Sequence, residues 1–179
     1  MSYRLALFDF DGTLADSMHW LLGIFDQVAD RFGYRRLAPG DQERVRKLET
    51  RAILRHLDIP AWKLPAIARH VRELAERDIA KIHLFPGADG MLAALRAGGV
   101  RVAVVSSNTE ENVRRVLGPA AAHVVHYACG ASLFGKDVKL RSALRATQSD
   151  RGSAIFIGDE ARDLVAGAAD AAFGDVERE

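Results

Sequence analysis

A chain of 179 residues, 49% hydrophobic and 27% charged, suffices for one packed core with a small insertion and is too short for two full domains. Its formal charge of +1 sets up no global field for nucleic acid, and no apolar stretch is long enough to span a bilayer. The opening MSYRLALFDFDGTL is too short in its apolar run and too acidic for a signal peptide, so a cytoplasmic protein is expected, and the lone Cys129 reads as a small core thiol.

Arg4 to Phe8 is a short apolar run ending in Asp-Phe-Asp-Gly-Thr, which predicts a buried strand entering a loop. From about Ser17 to His83 no strand pattern is found. Met18, Leu21, Leu22, Phe25, Val28 and Phe32 form one helical stripe, closed by Gly33 as a C-cap. Leu64, Ile67, Val71 and Leu74 form another after the breaks at Pro60 and Pro65. Phe85-Pro86-Gly87 marks the return. Further strands are predicted at Val100 to Val105, His123 to Tyr127 and Ala154 to Ile157, with helices over Ala88 to Ala97, Thr109 to Leu117 and Val138 to Thr147. This alternation predicts an α/β fold, a doubly wound parallel sheet formed by residues 1–16 and 84–179, with a small all-helical cap inserted at 17–83.

Candidate chemistry sits at the strand ends. Asp9 and Asp11, spaced i, i+2, point the same way, and Gly12 permits the sharp turn that brings both to a ligand. Ligands of open α/β sheets bind beyond the carboxyl ends of the strands, where this pair falls. Ser106-Ser107-Asn108 closes the second strand just before a helix N-terminus, a place that favours anions; taken in isolation, these serines are better explained as N-caps. Asp159 and Asp163, with Glu160, follow the last strand, although acids at a helix start also suit its dipole. Several carboxylates at one sheet edge repel unless a cation neutralises them, and hard oxygen ligands suit Mg²⁺. The six histidines have no metal-ligand spacing, and P-loop, GxGxxG and GxSxG motifs are absent.

DFDGTLADS, VVSSN, FGKDVKL and GDEARD, in this order at strand ends, resemble the four motifs of the haloacid dehalogenase superfamily, most closely its phosphoglycolate-phosphatase-like branch. The resemblance covers nearly the whole chain. It implies a Mg²⁺-dependent phosphatase acting on a small phosphorylated metabolite, with phosphoglycolate as one possibility. Asp9 would be the nucleophile and Asp11 the general acid and base, with Ser106 binding the phosphoryl group and Lys136 bridging nucleophile and phosphate. Gly12, Ser107 and Asn108 are further phosphate contacts by the same likeness. Asp9, the Asp11 carbonyl and Asp159 would hold the metal, with Asp163 and Glu160 orienting that shell. Both Lys136 and Lys139 are candidates for that lysine; Lys136 matches the family spacing better and is expected in the loop before the helix, whereas Lys139 would fall on the first turn, where its plain reading is a solvated surface lysine. Family members continue through a fifth strand, whereas here Ala171 to Val176 stand close to the last residue, so the sheet edge is expected to be short.

A phosphomutase on the same scaffold and a non-catalytic binding protein of this fold are the alternatives, the second disfavoured by the presence of both Asp9 and Asp11. From Arg31 to His83 there are thirteen Lys/Arg against seven Asp/Glu, so the inserted segment is basic and the remainder acidic. Arg44, Lys47 and Arg51, spaced three and four apart, are the expected substrate-selecting residues of the cap. No nucleic-acid or membrane partner is expected, and the protein should be a monomer or homodimer.

Overall fold

The computed structural model describes residues 3–38, 40–41, 50–130 and 135–159. They form two compact units, one comprising the residues up to Asp16 and from His83 onward, the other Ser17–Ile82.

In the first unit, strands β1 (Leu5–Asp9), β2 (Arg101–Val105), β3 (Val124–Ala128) and β4 (Ala154–Ile157) form one sheet of order β3-β2-β1-β4. Every pairing is parallel, with Asp9 opposite Val105 and Phe8 opposite Ile157. The winding direction reverses between β1 and β4. The loops leaving these two strands diverge there, which opens the crevice where doubly wound sheets bind ligands.

β1 is buried along its whole length, as expected when helices cover both faces. One face carries Leu5, Leu7, Ala103, Val105 and Ala154, packed against Leu140, Ala143 and Leu144 of the helix Gly135–Ala146. Alternation puts Ala6, Phe8, Val102 and Val104 on the opposite face, and these are equally buried. Each large side chain so buried contributes about 1.5–3 kcal/mol, well above the ~0–1 kcal/mol of an exposed ion pair, so the core and not its surface charges holds the sheet.

Among the described residues the second unit has the α-helices α1 (Ser17–Phe32), α2 (Thr50–His56) and α3 (Leu64–Arg77). Among its described residues there is no strand. Trp20, Leu22, Ile24, Phe25, Val28 and Ala29 form the buried face of α1, while Met18 and Leu21 of the expected stripe are only partly buried, against Leu22, Phe25 and Leu57. Gly33 ends the helix at φ 63°, its N–H donating to Ala29 O at 2.8 Å, and Lys63 Nζ donates to Phe32 O at 2.6 Å. Both bonds satisfy carbonyls that a helix end leaves open. Asp78, the C-cap of α3, is buried and accepts from Trp20 Nε1 at 3.4 Å and Arg77 Nε at 3.0 Å, with Lys81 Nζ at 3.3 Å. The Arg77 hydrogen bond is the largest cause that holds its carboxyl at about 2, followed by an opposing push from burial and by support from Trp20 and Lys81.

The first unit resumes beside its own exit point. Ala15 and Leu84 form an antiparallel bridge, Asp16 N–H donates to His83 O, and Phe85 N–H donates to Leu14 O, both at 2.9 Å. Gly87 then turns at φ 83° into α4 (Ala88–Ala97). Helix α5 (Glu110–Leu117) places Glu110 and Glu111 in its first turn and Arg114 and Arg115 in its last, as the helix dipole favours. Helix α6 (Gly135–Ala146) starts earlier than the apolar spacing suggests, with Asp137 in its first turn. Lys136 therefore stands on the helix and not in the loop before it. The expectation of a short sheet edge falls on residues outside those described.

Candidate active site

β1 delivers Asp9 to the sheet edge, where it is 9% exposed. Phe10 N–H donates to Asp9 Oδ1 at 2.8 Å and Lys136 Nζ donates to Asp9 Oδ2 at 2.6 Å. Each carboxylate oxygen thus has a defined donor, which fixes the group's orientation. The Lys136 ammonium also lies 5.2 Å from the centre of the Phe156 ring of β4, so its approach to Asp9 is restricted from two sides.

Beyond Phe10 the backbone curls tightly: Leu14 and Ala15 N–H both donate to Phe10 O, and Gly12 N–H donates to Ala15 O. Gly12 adopts φ +82°, and a Cβ added there would meet Asp159 Oδ2 at 2.2 Å. The absence of a side chain at position 12 is what admits the Asp159 carboxylate, arriving from the end of β4, against this loop. Asp11 stands in the same curl, and its Oδ2 accepts from Ser106 Oγ at 3.4 Å. Thr13 Oγ1 is buried there with no protein hydrogen-bond partner, a state that calls for water or a bound group.

Ser106 follows β2 and is 2% exposed. Its N–H donates to Ala128 O at 3.2 Å, and its Oγ accepts from Asn108 N–H at 3.0 Å. Capping of α5 is performed by Thr109, whose side chain accepts from Asn112 N–H at 3.2 Å. The capping explanation for Ser106 and Ser107 is therefore corrected: the cap lies one residue beyond the SSN triplet. Asn108 braces the loop, its Oδ1 accepting from Thr109 N–H and Asn112 Nδ2, and Ser107 is exposed.

Lys139, weighed in the sequence only as the alternative to Lys136 or as a solvated surface lysine, has a different place. It is half-buried, and its ammonium donates to the backbone carbonyls of both Ser106 and Gly130. Burial pushes its pKa below the ordinary lysine value, opposed by the nearby Cys129 and Asp9. The only signal in the sequence was its spacing of three from Lys136, which puts both on one helical face. Cys129 is half-buried, its thiol pushed up to about 11 by burial and then by Glu110.

Asp9, Asp11, Gly12, Ser106, Lys136 and Asp159 thus share one edge of the first unit. Asp163, Glu160, Arg44 and Lys47 lie outside the described residues, as does the side chain of Arg51, whose backbone belongs to α2. Among the described residues no three His, Cys, Asp or Glu side chains are grouped so that they alone could hold a metal ion. The donors at this edge are oxygens, with Asp159 held against the Gly12 backbone. Such an open oxygen set fits Mg²⁺, which keeps waters and substrate oxygens in its shell.

Residues 6–172 match the family of haloacid dehalogenase-like hydrolases. The chain belongs to this family. Among curated relatives, the phosphoglycolate phosphatase of Synechococcus elongatus is 28% identical over 163 residues, covering 89% of this chain and 76% of the relative. The phosphoserine phosphatase of Halobacterium salinarum is 33% identical over 180 residues, covering 89% and 79%. A crystal structure of a candidate phosphoglycolate phosphatase from Lactobacillus plantarum superposes with a TM-score of 0.81 at 19% identity, covering 96% of this chain and 84% of the other. That likeness establishes the fold. With these relatives, the haloacid dehalogenase-like hydrolase stands in the phosphoglycolate-phosphatase-like branch and is an enzyme of the phosphoric monoester hydrolase class.

Proposed function

We propose that this hydrolase cleaves a small carboxylated phosphate monoester through an aspartyl-phosphate on Asp9. The observation that carries the reading is the pair of donors on Asp9, Phe10 N–H on one oxygen and the Lys136 ammonium on the other. In the first step an Asp9 oxygen attacks phosphorus, the ester P–O bond breaks, and Asp11 gives its proton to the departing alkoxide. In the second, water attacks the phosphoryl group, Asp11 takes the water's proton, and the bond to Asp9 breaks with release of phosphate. Ser106 and the Lys136 ammonium hold the phosphoryl oxygens between these steps, with Gly12, Ser107 and Asn108 completing the loops around them. Asp9, Asp159 and the Asp11 carbonyl would hold Mg²⁺, with Asp163 orienting that shell, and the ion would supply charge neutralisation on the phosphoryl oxygens.

The substrate class rests on relatives whose names denote phosphoglycolate and phosphoserine, both phosphate esters of small hydroxy acids. In this reading 17–83 acts as a cap, and its basic residues Arg44, Lys47 and Arg51 take the substrate carboxylate. The test is a phosphate-release screen over phosphoglycolate, phosphoserine, sugar phosphates and an aryl phosphate. Turnover should favour the carboxylated esters, vanish in excess chelator and return with Mg²⁺ but not with Zn²⁺, since His and Cys ligands are lacking. Full activity in chelator, or no preference for a carboxylate, would overturn the corresponding part.

A further inference from the structure

We propose that Lys139 is a positioning residue, whose ammonium ties the Ser106 carbonyl to the Gly130 carbonyl and so keeps the loop after β2 in register with the loop after β3. The inference rests on reading Ser106 as a phosphoryl-binding group, and deepens it.

The parallel ladder between β2 and β3 ends at Val105 and Ala128. Beyond that point the two chains are joined by Ser106 N–H to Ala128 O at 3.2 Å and by Gly130 N–H to Asn108 O at 2.6 Å. Those bonds leave the carbonyls of Ser106 and Gly130 as acceptors off the ladder, and both converge on one ammonium. A lysine suits this task, since its three donors radiate from a point at the end of a long stem and can serve two carbonyls on different loops. Among the described residues no carboxylate lies within ion-pair distance of Lys139. A half-buried charge compensated by carbonyl dipoles has given up part of its hydration for those two bonds, which a solvated surface lysine does not do.

The placement also explains the pairing of lysines three residues apart on α6. Lys136 reaches the end of β1 at Asp9, and Lys139 reaches the loops following β2 and β3. One helical turn therefore fastens three strand ends. Because Ser106 Oγ is held by Asn108 N–H and faces Asp11, a shift of the Ser106 backbone displaces the hydroxyl from the acid that it contacts. Displacements of this kind cost rate more than affinity, since small misplacements are felt most in the transition state.

The experiment compares the parent with Lys139→Met, Lys139→Gln and Lys139→Arg. It measures kcat and KM with Mg²⁺ on the best ester from the screen, the melting midpoint, and hydrogen exchange at the Asn108 and Gly130 amides. Lys139→Met should remain folded, lose about tenfold to a hundredfold in kcat with KM within about threefold, and exchange both amides about tenfold faster. Lys139→Arg, whose guanidinium can also serve two carbonyls, should recover most of both. If Lys139→Met does not fold, Lys139→Gln carries the same expectations. Unchanged kcat and exchange overturn the proposal, and so does a kcat loss with unchanged exchange, since the lysine would then act on substrate directly. Should the parent hydrolyse no ester, the phosphatase reading fails by itself, and the exchange of the two amides alone decides whether Lys139 holds the loops together.

Discussion

The sheet edge and the helical unit each contain a nearly buried carboxylate, and they hold it by different means. Asp9 is placed by strand register: its backbone pairs with Val105, and the next N–H along the chain caps its own carboxylate. Asp78 is placed by side chains, with Trp20, Arg77 and Lys81 converging on it from different turns of the helical unit. In the first case the strand ladder sets the backbone, and the carboxylate, paired with Lys136, is presented at the site. In the second the charge is itself a fastening. Removing each should therefore have opposite consequences for rate and for stability.

The largest effect is expected at Asp9. Asp9→Asn and Asp11→Asn should each lower turnover by several orders of magnitude, more than the ~10²–10⁴-fold typical of acid–base help in the nucleophile's case, while the melting midpoint moves by only a few degrees. Turnover of Asp9→Asn within tenfold of the parent would show that no covalent intermediate forms there.

Gly12→Ala sharpens the comparison, because at this position the backbone itself makes the site. The new Cβ meets Asp159 Oδ2 at 2.2 Å, and φ +82° costs a side-chain residue about 1–2 kcal/mol. Asp159 must move away, so the Mg²⁺ concentration for half-activity should rise about tenfold, a loss of roughly 1.4 kcal/mol in metal affinity. A titration with unchanged midpoint would remove Asp159 from the metal set. A smaller effect is expected from Lys47→Ala or Arg51→Ala, which should raise KM severalfold for a carboxylated ester and less for an aryl phosphate. Equal losses on both would assign these residues to folding.

The smallest effect is the acid limb of stability. The folded pKa of Asp78 lies at about 2, below its ordinary 3.8. Its contribution is therefore fully present above about pH 4 and is lost as pH falls through about 2. Asp78→Asn should flatten that limb and lower the melting midpoint by a few degrees at neutral pH without changing kcat. Trp20 fluorescence reports it, in a background where Trp62, 77% exposed, is replaced by Phe. A parent and variant with the same acid limb would show that Asp78 is not a fastening.

Much of the edge is legible in the sequence for a geometric reason. Asp9, Ser106 and Asp159 each stand at or just past the end of an apolar run, and parallel strands bring such ends to one line. Lys139 is not legible in that way. Its partners are carbonyls 33 and 9 residues upstream, and nothing in a residue's identity shows where its carbonyl points. The face of α1 is likewise decided by packing. Its first half is almost wholly apolar, so spacing admits two overlapping stripes, and the buried one includes Trp20 and Ile24.

The bridge between Ala15 and Leu84 has a consequence for how such a chain can be rebuilt. The segment Ser17–Ile82 leaves and rejoins the first unit at positions already hydrogen-bonded to each other, through Asp16 N–H and His83 O. The cost of closing an insertion grows only slowly with its length once its ends are side by side. The segment is thus a cassette with a single splice point: another helical module, or a tight hairpin turn, can be grafted at 16/83 while the register of the strands that carry Asp9 and Ser106 is left as it is.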